Sequence, residues 1–505
     1  SKVCERDGNG YYVLYTEVSV LKLSELLVLS ELGISADVVA DAEITLVTEE
    51  SDSVVPGSIF VCVNGKNYNG HLKAFEAAAK GASLVVGEED LNMPGYVRVT
   101  DARKAVCALS RAFFGRPDRR LKLIGITGTN GKTTTAEYIR HIMMFAGKKC
   151  GVIGTLGWAC GDGRVPSERT TPDSFTFFSE LKKTADSGCE VCAAEVSSQA
   201  LDQCRVDCAE FDLAVLTNIG HDHLDYHKTV RDYADAKKKL FSIARAGLVN
   251  ADDAYRDEFT AAAGKGCRLY GAGANLADYS ARNIKPDGRG GTSFILFDGS
   301  RLERVTVSAP GKIGVYNSLC AASACMMSGI DIGTAAAALC RLPSVNGRSE
   351  MIMSPEGIRV CVDFAHTPEA MGAVLSALRE STGGKIITVF GCGGDRDATK
   401  RPVMGRTAAS MSDSVILTSD NPRSEEPEKI ISDIAAGIKN KTFLFKEPDR
   451  RRAIELALKK ASCGDTVLIA GKGHETTQTA NGISVHFSDA EAVKDILHIN
   501  NSDVF

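Results

Sequence analysis

The chain has 505 residues, 44% of them hydrophobic and 24% charged, with a formal net charge of −5. That length predicts about three domains, the composition is that of a soluble globular protein, and an acidic balance without a long basic run excludes a general nucleic-acid binder. No apolar stretch approaches the roughly 20 residues of a membrane span, no signal-peptide-like apolar segment opens the sequence, and 16 scattered cysteines without paired spacing predict reduced, mostly buried thiols in a cytoplasmic protein.

Residues 1 to about 117 read as a small α/β domain. Apolar spacing predicts a helix over 21–32, and strands are expected at 44–47, 58–63 and 84–86. A helix over 71–80 would stop at Gly81, where a left-handed C′ residue belongs. The helix 102–114 runs into Gly115-Arg116-Pro117, a linker signal.

The second region, 118–343, opens on Leu123-Ile-Gly-Ile-Thr-Gly-Thr-Asn-Gly-Lys-Thr-Thr-Thr135. An apolar strand, a glycine turn and a helix over 133–145 form the context of a phosphate-binding loop. There backbone N–H groups at the helix start meet anionic oxygens, Lys132 would neutralise the terminal phosphates, and the Thr133 hydroxyl suits Mg²⁺. The usual pattern has a glycine where Ile126 stands, so this is a shortened variant starting at Gly128. Strands at 151–154 and 190–194 follow, the second running into Glu195, where a carboxylate at a parallel strand's end can serve a metal. The strand 213–216 leads to Thr217-Asn218 and to His221, Asp222, His223, Asp225 and His227, a cluster that reads either as a functional loop or as a merely polar one. Tyr233 to Ala244 is a helix whose run Lys237-Lys238-Lys239 reads as a solvated face. Alternating runs from Arg268 to Val307 predict an antiparallel β insertion, followed by helices over 311–327 and 334–342.

The third region, 344–505, alternates strands (359–363, 385–390, 414–418, 466–470) with helices, the pattern of a parallel sheet covered on both faces. Gly391-Cys-Gly-Gly394 is only loosely a dinucleotide fingerprint. The strand ends carry the polar loops Asp395-Arg396, Asp420-Asn421-Pro422-Arg423 and Gly471-Lys-Gly-His-Glu475, at the edge where open α/β sheets bind ligands.

In this order the motifs Thr127-Gly-Thr-Asn-Gly-Lys-Thr-Thr134, Glu195-Val-Ser-Ser198, Thr217-Asn-Ile219, Asp222-His-Leu-Asp225, Tyr316-Asn317, Gly347-Arg-Ser-Glu350, Asp363-Phe-Ala-His366 and the three C-terminal loops resemble the Mur ligases, ATP-dependent amide-forming enzymes of cytoplasmic peptidoglycan precursor synthesis. The resemblance covers essentially the whole chain. It implies an α/β protein of three domains: a UDP-binding domain, a central ATP-binding domain with a parallel sheet, and a Rossmann-like domain for the incoming amino acid.

Residue by residue, the resemblance implies that Gly128, Thr129, Asn130, Gly131, Lys132, Thr133 and Thr134 bind the ATP phosphates. It implies that Asn317, Arg348 and Asp363 hold adenine and ribose, and that Thr133, Glu195, His223 and Lys237 serve Mg²⁺, Lys237 as a carbamate that replaces a cation with an anion. The catalytic set is then Lys132, Glu195, His223 and Lys237. Thr170, Thr171, Ser197, Gln203 and Arg205 match positions holding UDP-N-acetylmuramoyl-L-alanyl-D-glutamate; Ser51, Lys66, Asn67 and Tyr68 match its uridine side.

Arg396, Asp420, Asn421, Pro422, Arg423, Gly471 and Glu475 match the amino-acid pocket. A guanidinium pairs two-pronged with a carboxylate, which favours meso-diaminopimelate over L-lysine, the alternative amine. The family's Asp-Ser-Arg before the Val-x-Pro-Gly turn is Glu50-Ser51-Asp52 here, an acid for an arginine. Folylpolyglutamate synthetase shares a related phosphate loop, but lacks the first domain and the Asp-Asn-Pro-Arg loop. A catalytically inactive, nucleotide-sensing relative is opposed by the presence of Lys132, Glu195, His223 and Lys237. A monomer with only small-molecule substrates is expected.

Overall fold

The computed structural model describes residues 3–6, 12–15, 21–34, 41–65, 68–161, 163–273, 276–288, 290–439 and 443–499. Lys66 and Asn67 lie outside these. Three sheets organise the chain.

The first has four strands in chain order, Leu46–Thr48, Ser58–Val61, Leu84–Gly87 and Tyr96–Arg98, all parallel. Its central strands are buried throughout, as a sheet covered on both faces requires. The strand expected over 44–47 is split. Glu43–Ile44 pairs with Leu21–Lys22, and Thr45 turns away, its hydroxyl donating to the Pro56 carbonyl at 2.9 Å. The helix expected over 71–80 starts as a 3₁₀ turn, Gly70–Lys73, because the Asn69 side chain accepts the His71 N–H, and becomes α-helical at Ala74–Ala79. It ends at Gly81 with φ +97°.

The helix Ala102–Phe113, capped by Asp101, faces the next unit. Across the seam the Arg111 guanidinium grips Asp118 at 3.0 and 2.8 Å and reaches Glu210 at 2.7 Å, with Asp118 fully buried.

The central sheet has eleven strands. Its parallel heart runs Cys150–Gly154, Val191–Glu195, Lys122–Thr127, Leu213–Leu216, Gly247–Asn250 and Cys267–Gly271. Of the stretch expected from Arg268 as an antiparallel insertion, Cys267–Gly271 belongs instead to the parallel heart and Tyr279–Pro286 pairs with it in parallel; Thr292–Phe297 and Leu302–Val307 then continue antiparallel and extend one edge of this same sheet. They join it because one face of Thr292–Phe297 alternates into the core beside the helices Gly311–Met327 and Ile332–Leu339. A hairpin, Gly157–Cys160 with Gly163–Val165, forms the other edge.

The third sheet has six strands in the order Glu350–Met353, Arg359–Asp363, Thr466–Ala470, Ile386–Phe390, Ser414–Leu417, Phe443–Lys446. All but the first are parallel. Asp363, Ala470, Phe390 and Leu417 therefore end at one edge, and the three polar loops gather there. Among the described residues no helix is long and apolar enough to cross a membrane.

Candidate active site

The phosphate loop joins the strand Lys122–Thr127 to the helix Lys132–Phe145. Two of its glycines are obligatory. Gly128 has φ +144°, and a Cβ there would lie 1.9 Å from Thr217 Oγ1; at Gly131 (φ +85°) it would lie 2.3 Å from Asn317 Oδ1. Ile126, in place of the early glycine, is a buried strand residue. The loop leans on its neighbour: the Thr129 and Asn130 N–H groups donate to Asn218, and the Thr217 hydroxyl donates to the Asn130 carbonyl at 2.7 Å.

Lys132 folds back along the loop, its Nζ donating to the Gly128 and Thr129 carbonyls at 2.8 and 2.9 Å. Lys237, 1% exposed, donates to the same Gly128 carbonyl at 2.9 Å and lies over the Tyr233 ring. Burial lowers the pKa of both amines, that of Lys237 strongly, with Lys132's charge adding to the effect. Lys237 is thus no solvated residue; Lys239, two positions on, has a 46% exposed side chain.

Glu195 is 1% exposed at the end of its strand. It accepts the Thr133 hydroxyl at 2.9 Å, the Thr155 N–H at 2.7 Å and the Thr155 hydroxyl at 3.1 Å. Burial still raises its pKa. A buried carboxylate beside a hydroxyl, both hard oxygen donors, fits Mg²⁺, which binds through one or two protein oxygens and takes its other ligands from phosphate and water. Among the described residues no three His, Cys, Asp or Glu side chains converge as a metal site. The expected set reduces geometrically to Thr133 with Glu195, while Lys237 faces Gly128 and the half-exposed His223 lies 3.6 Å from Asp222. The buried histidine of the cluster is His227, bonded to Ser198 Oγ at 2.9 Å.

Arg348 comes from the third unit. Its Nη2 donates to Thr133 Oγ1 at 3.4 Å and its guanidinium lies 4.5 Å from the Phe364 ring centre. Burial lowers its pKa, opposed by Glu195 and Asp363. It therefore reaches the helix start of the phosphate loop. Asp363 ties down the Ser349 N–H and hydroxyl at 2.6 and 3.0 Å, and Asn317 overhangs Gly131.

The five residues expected to hold UDP-N-acetylmuramoyl-L-alanyl-D-glutamate form one connected group. The Thr171 hydroxyl donates to the Glu195 carbonyl and accepts the Ser197 N–H, and Thr170 meets Thr155 at 3.0 Å. Arg205 donates to the Thr171 carbonyl at 2.8 Å and to Gln203 Oε1 at 2.7 Å. Glu49 of the first unit adjoins this group: burial raises its pKa, opposed by Arg103, Arg205 and Arg169. Ser51 is buried, its carbonyl accepting Lys80 Nζ at 3.0 Å; Tyr68 is exposed; and Asp52, in the arginine's place, is open to solvent with Lys80 at 3.7 Å.

In the third unit Asn421 Nδ2 donates to Glu475 Oε2 at 2.8 Å, and a Cβ on Gly471 (φ +111°) would meet Asp420 Oδ2 at 2.6 Å. Arg423, at φ +53°, donates to the Gly394 carbonyl at 2.6 Å. Pro422 closes on the same turn, its carbonyl meeting Gly394, and Arg396 is exposed nearby. Lys472, unassigned by sequence, is fully buried here. It donates to Glu475 Oε2 at 2.9 Å, the Thr477 carbonyl at 2.6 Å and Asn421 Oδ1 at 3.4 Å. Non-glycine residues with positive φ recur in these loops (His223, Ser349, Asp395, Arg423), a strain that functional loops tolerate.

Residues 126–325 match the Mur ligase middle domain, and residues 347–473 match the Mur ligase glutamate ligase domain. A Bacillus velezensis protein named UDP-N-acetylmuramoyl-L-alanyl-D-glutamate–2,6-diaminopimelate ligase is 41% identical over 474 residues, covering 91% of this chain and 96% of that protein. The Aquifex aeolicus protein of the same name is 42% identical over 454 residues, covering 89% and 93%. A solved structure of a ligase so named is similar with a TM-score of 0.70 and 30% identity, covering 95% of this chain and 99% of the other.

Proposed function

The chain belongs to the Mur ligase family, and we propose that it joins meso-diaminopimelate to the D-glutamate γ-carboxylate of UDP-N-acetylmuramoyl-L-alanyl-D-glutamate at the expense of ATP. The observation that carries this reading is Arg348 reaching Thr133. It ties the edge of the third sheet, where the amine pocket gathers, to the phosphate loop and to the Thr170–Arg205 group. The names of the relatives support the same substrates.

In this reading the γ-carboxylate attacks the γ-phosphate of ATP, giving an acyl phosphate and ADP. The amine of diaminopimelate then attacks the acyl carbon and phosphate leaves. Gly128 to Thr134 cradle the phosphates, and Lys132 leaves its loop carbonyls to meet them. Thr133 and Glu195 would hold Mg²⁺, with His223 and carbamylated Lys237 at its margin. When bound, the ion supplies charge neutralisation on the transferring phosphoryl group. Thr170, Thr171, Ser197, Gln203 and Arg205 position the dipeptide, and Ser51, Lys66, Asn67 and Tyr68 the uridine. Arg423 and Arg396 would take the distal carboxylate of diaminopimelate, and Asp420, Asn421 and Glu475 its ammonium.

We assign 1–117 to the UDP-sugar domain, 118–343 to the ATP domain and 344–505 to the amino-acid domain, one of the three large sheets to each. We read the enzyme as a cytoplasmic monomer, consistent with small soluble substrates. The test is phosphate release and product mass with the UDP-muramoyl dipeptide, ATP and a panel of amines. Tripeptide with meso-diaminopimelate and at least about tenfold less with L-lysine is expected, the loss of one carboxylate pairing. Equal use of L-lysine would refute the assignment of the pocket, and no phosphate release with any amine would refute the ligase.

A further inference from the structure

Cysteine is the residue type that the reaction leaves unexplained. Two cysteines are in contact: Cys160 Sγ lies 3.0 Å from Cys189 Sγ. Cys160 ends the strand Gly157–Cys160, next to the edge, and Cys189 stands just before the strand Val191–Glu195. These two strands flank Cys150–Gly154 on opposite sides. The thiols meet at the end where Cys150–Gly154 begins, whereas Glu195, Gly154 and the phosphate loop lie at the other end. Cys160 is partly exposed and Cys189 is 7% exposed. Cys150 and Cys192 lie fully buried close by, yet no three such groups among the described residues converge on a metal position. The chemistry open to this place is therefore pairwise.

We propose that Cys160 and Cys189 are a dithiol site that forms a reversible intramolecular disulfide with low-molecular-weight disulfides. The partly exposed Cys160 thiolate attacks one sulfur of the small disulfide and releases the first small thiol. Cys189 then gives up its proton and attacks Cys160 Sγ in the mixed disulfide, releasing the second. Two protein thiols become one disulfide, the small disulfide takes both electrons, and its two thiols carry the two protons away. Burial pushes the Cys189 thiol up to about 12, which leaves Cys160 to attack first. The two sulfurs need approach by only about 1 Å to reach disulfide length.

The cross-link would close the segment 161–188, which carries Thr170 and Thr171. Closing a loop of that size limits the unfolded chain, and the bond lies at the sheet end away from the site. Oxidation thus pins this segment and leaves the ligation machinery in place.

The experiment incubates the native protein with oxidised glutathione, alkylates the free thiols, and maps the digested peptides by mass spectrometry. Expected is a linked pair of peptides joining Cys160 to Cys189, reversed by dithiothreitol, with an upward shift in the thermal midpoint. Cys189→Ser should instead retain glutathione on Cys160, and Cys160→Ser should show neither product nor midpoint shift. Glutathione remaining on Cys160 of the unsubstituted protein without a link, links to other cysteines only, or an unreactive Cys160 would each overturn the proposal.

Discussion

Lys132 and Lys237 donate to one carbonyl oxygen, that of Gly128, at 2.8 and 2.9 Å. Two ammonium groups crowded onto one acceptor in a buried site repel each other, and desolvation disfavours both charges. The Lys237 amine is accordingly held well below its usual range, which shifts it toward the neutral form, the form that adds carbon dioxide. Protein equilibrated with ¹³C-bicarbonate should show a carbamate resonance that disappears in Lys237→Ala, together with a loss of ligation of about a hundredfold or more. Lys132→Ala should abolish ligation while leaving the circular dichroism spectrum unchanged. Full activity in either variant would refute its assigned role.

Gly154 adjoins the Glu195 carboxylate so closely that a Cβ would fall 2.2 Å from Oε1 and 2.8 Å from Cδ. Gly154→Ala must push that carboxylate off Thr155 and Thr133, an overpacking that costs about 1–3 kcal/mol. The expected outcome is a rise in the Mg²⁺ concentration needed for half-maximal phosphate release, with the KM for diaminopimelate unchanged. A Mg²⁺ dependence like that of the unsubstituted protein would show that Glu195 does not serve the metal.

Lys237 also shows how much of the site could be read in advance. Its neighbours in sequence, Lys238 and Lys239, make it look like part of a solvated run. Yet Tyr233, Ala236, Leu240 and Phe241 are buried on the same helix, and position 237 falls four residues after the first and three and four before the last two, on the apolar face. Helical spacing alone could have placed it inside. The phosphate loop, the parallel strands and the three C-terminal loops were legible because glycine turns and apolar runs are local signals. Thr155 was not, since its role depends on a partner 40 residues away, and Lys472 was not, since its burial against Asn421, 51 residues away, leaves no local pattern. The hairpin Gly157–Val165 escaped because it is short, and its second strand is exposed throughout. Nor could spacing choose between His223, half-exposed, and His227, buried against Ser198.

Lys472 braces the loops proposed to hold the amine. Its ammonium and Asn421 Nδ2 both bind Glu475 Oε2, which fixes that carboxylate. Lys472→Met keeps most of the length of the side chain and removes the charge. A charge-assisted bond is worth about 1.5–3 kcal/mol, so the KM for diaminopimelate should rise about 10- to 100-fold while the KM for ATP stays put. Lys472→Arg should recover part of the loss. Equal rises in both KM values would indicate general damage to the domain instead.

His474 sets an acid limit on stability. Burial, then the charges of Arg348 and Lys472, lower its pKa to about 4. Its Nδ1 is buried without a hydrogen-bond partner among the described residues, and the ring lies 5.0 Å from Phe364. A histidine whose pKa is lower in the folded chain than in the unfolded one leaves the unfolded chain binding more protons between about pH 6.5 and 4. Stability is therefore full above that window and falls as the pH drops through it, by about 3 kcal/mol at most at about 1.4 kcal/mol per pH unit. Unfolding midpoints of the unsubstituted protein and of His474→Gln, measured from pH 7 to pH 4, should diverge, with the histidine form losing more. Parallel curves would mean that the ring is solvated and titrates alike in both states.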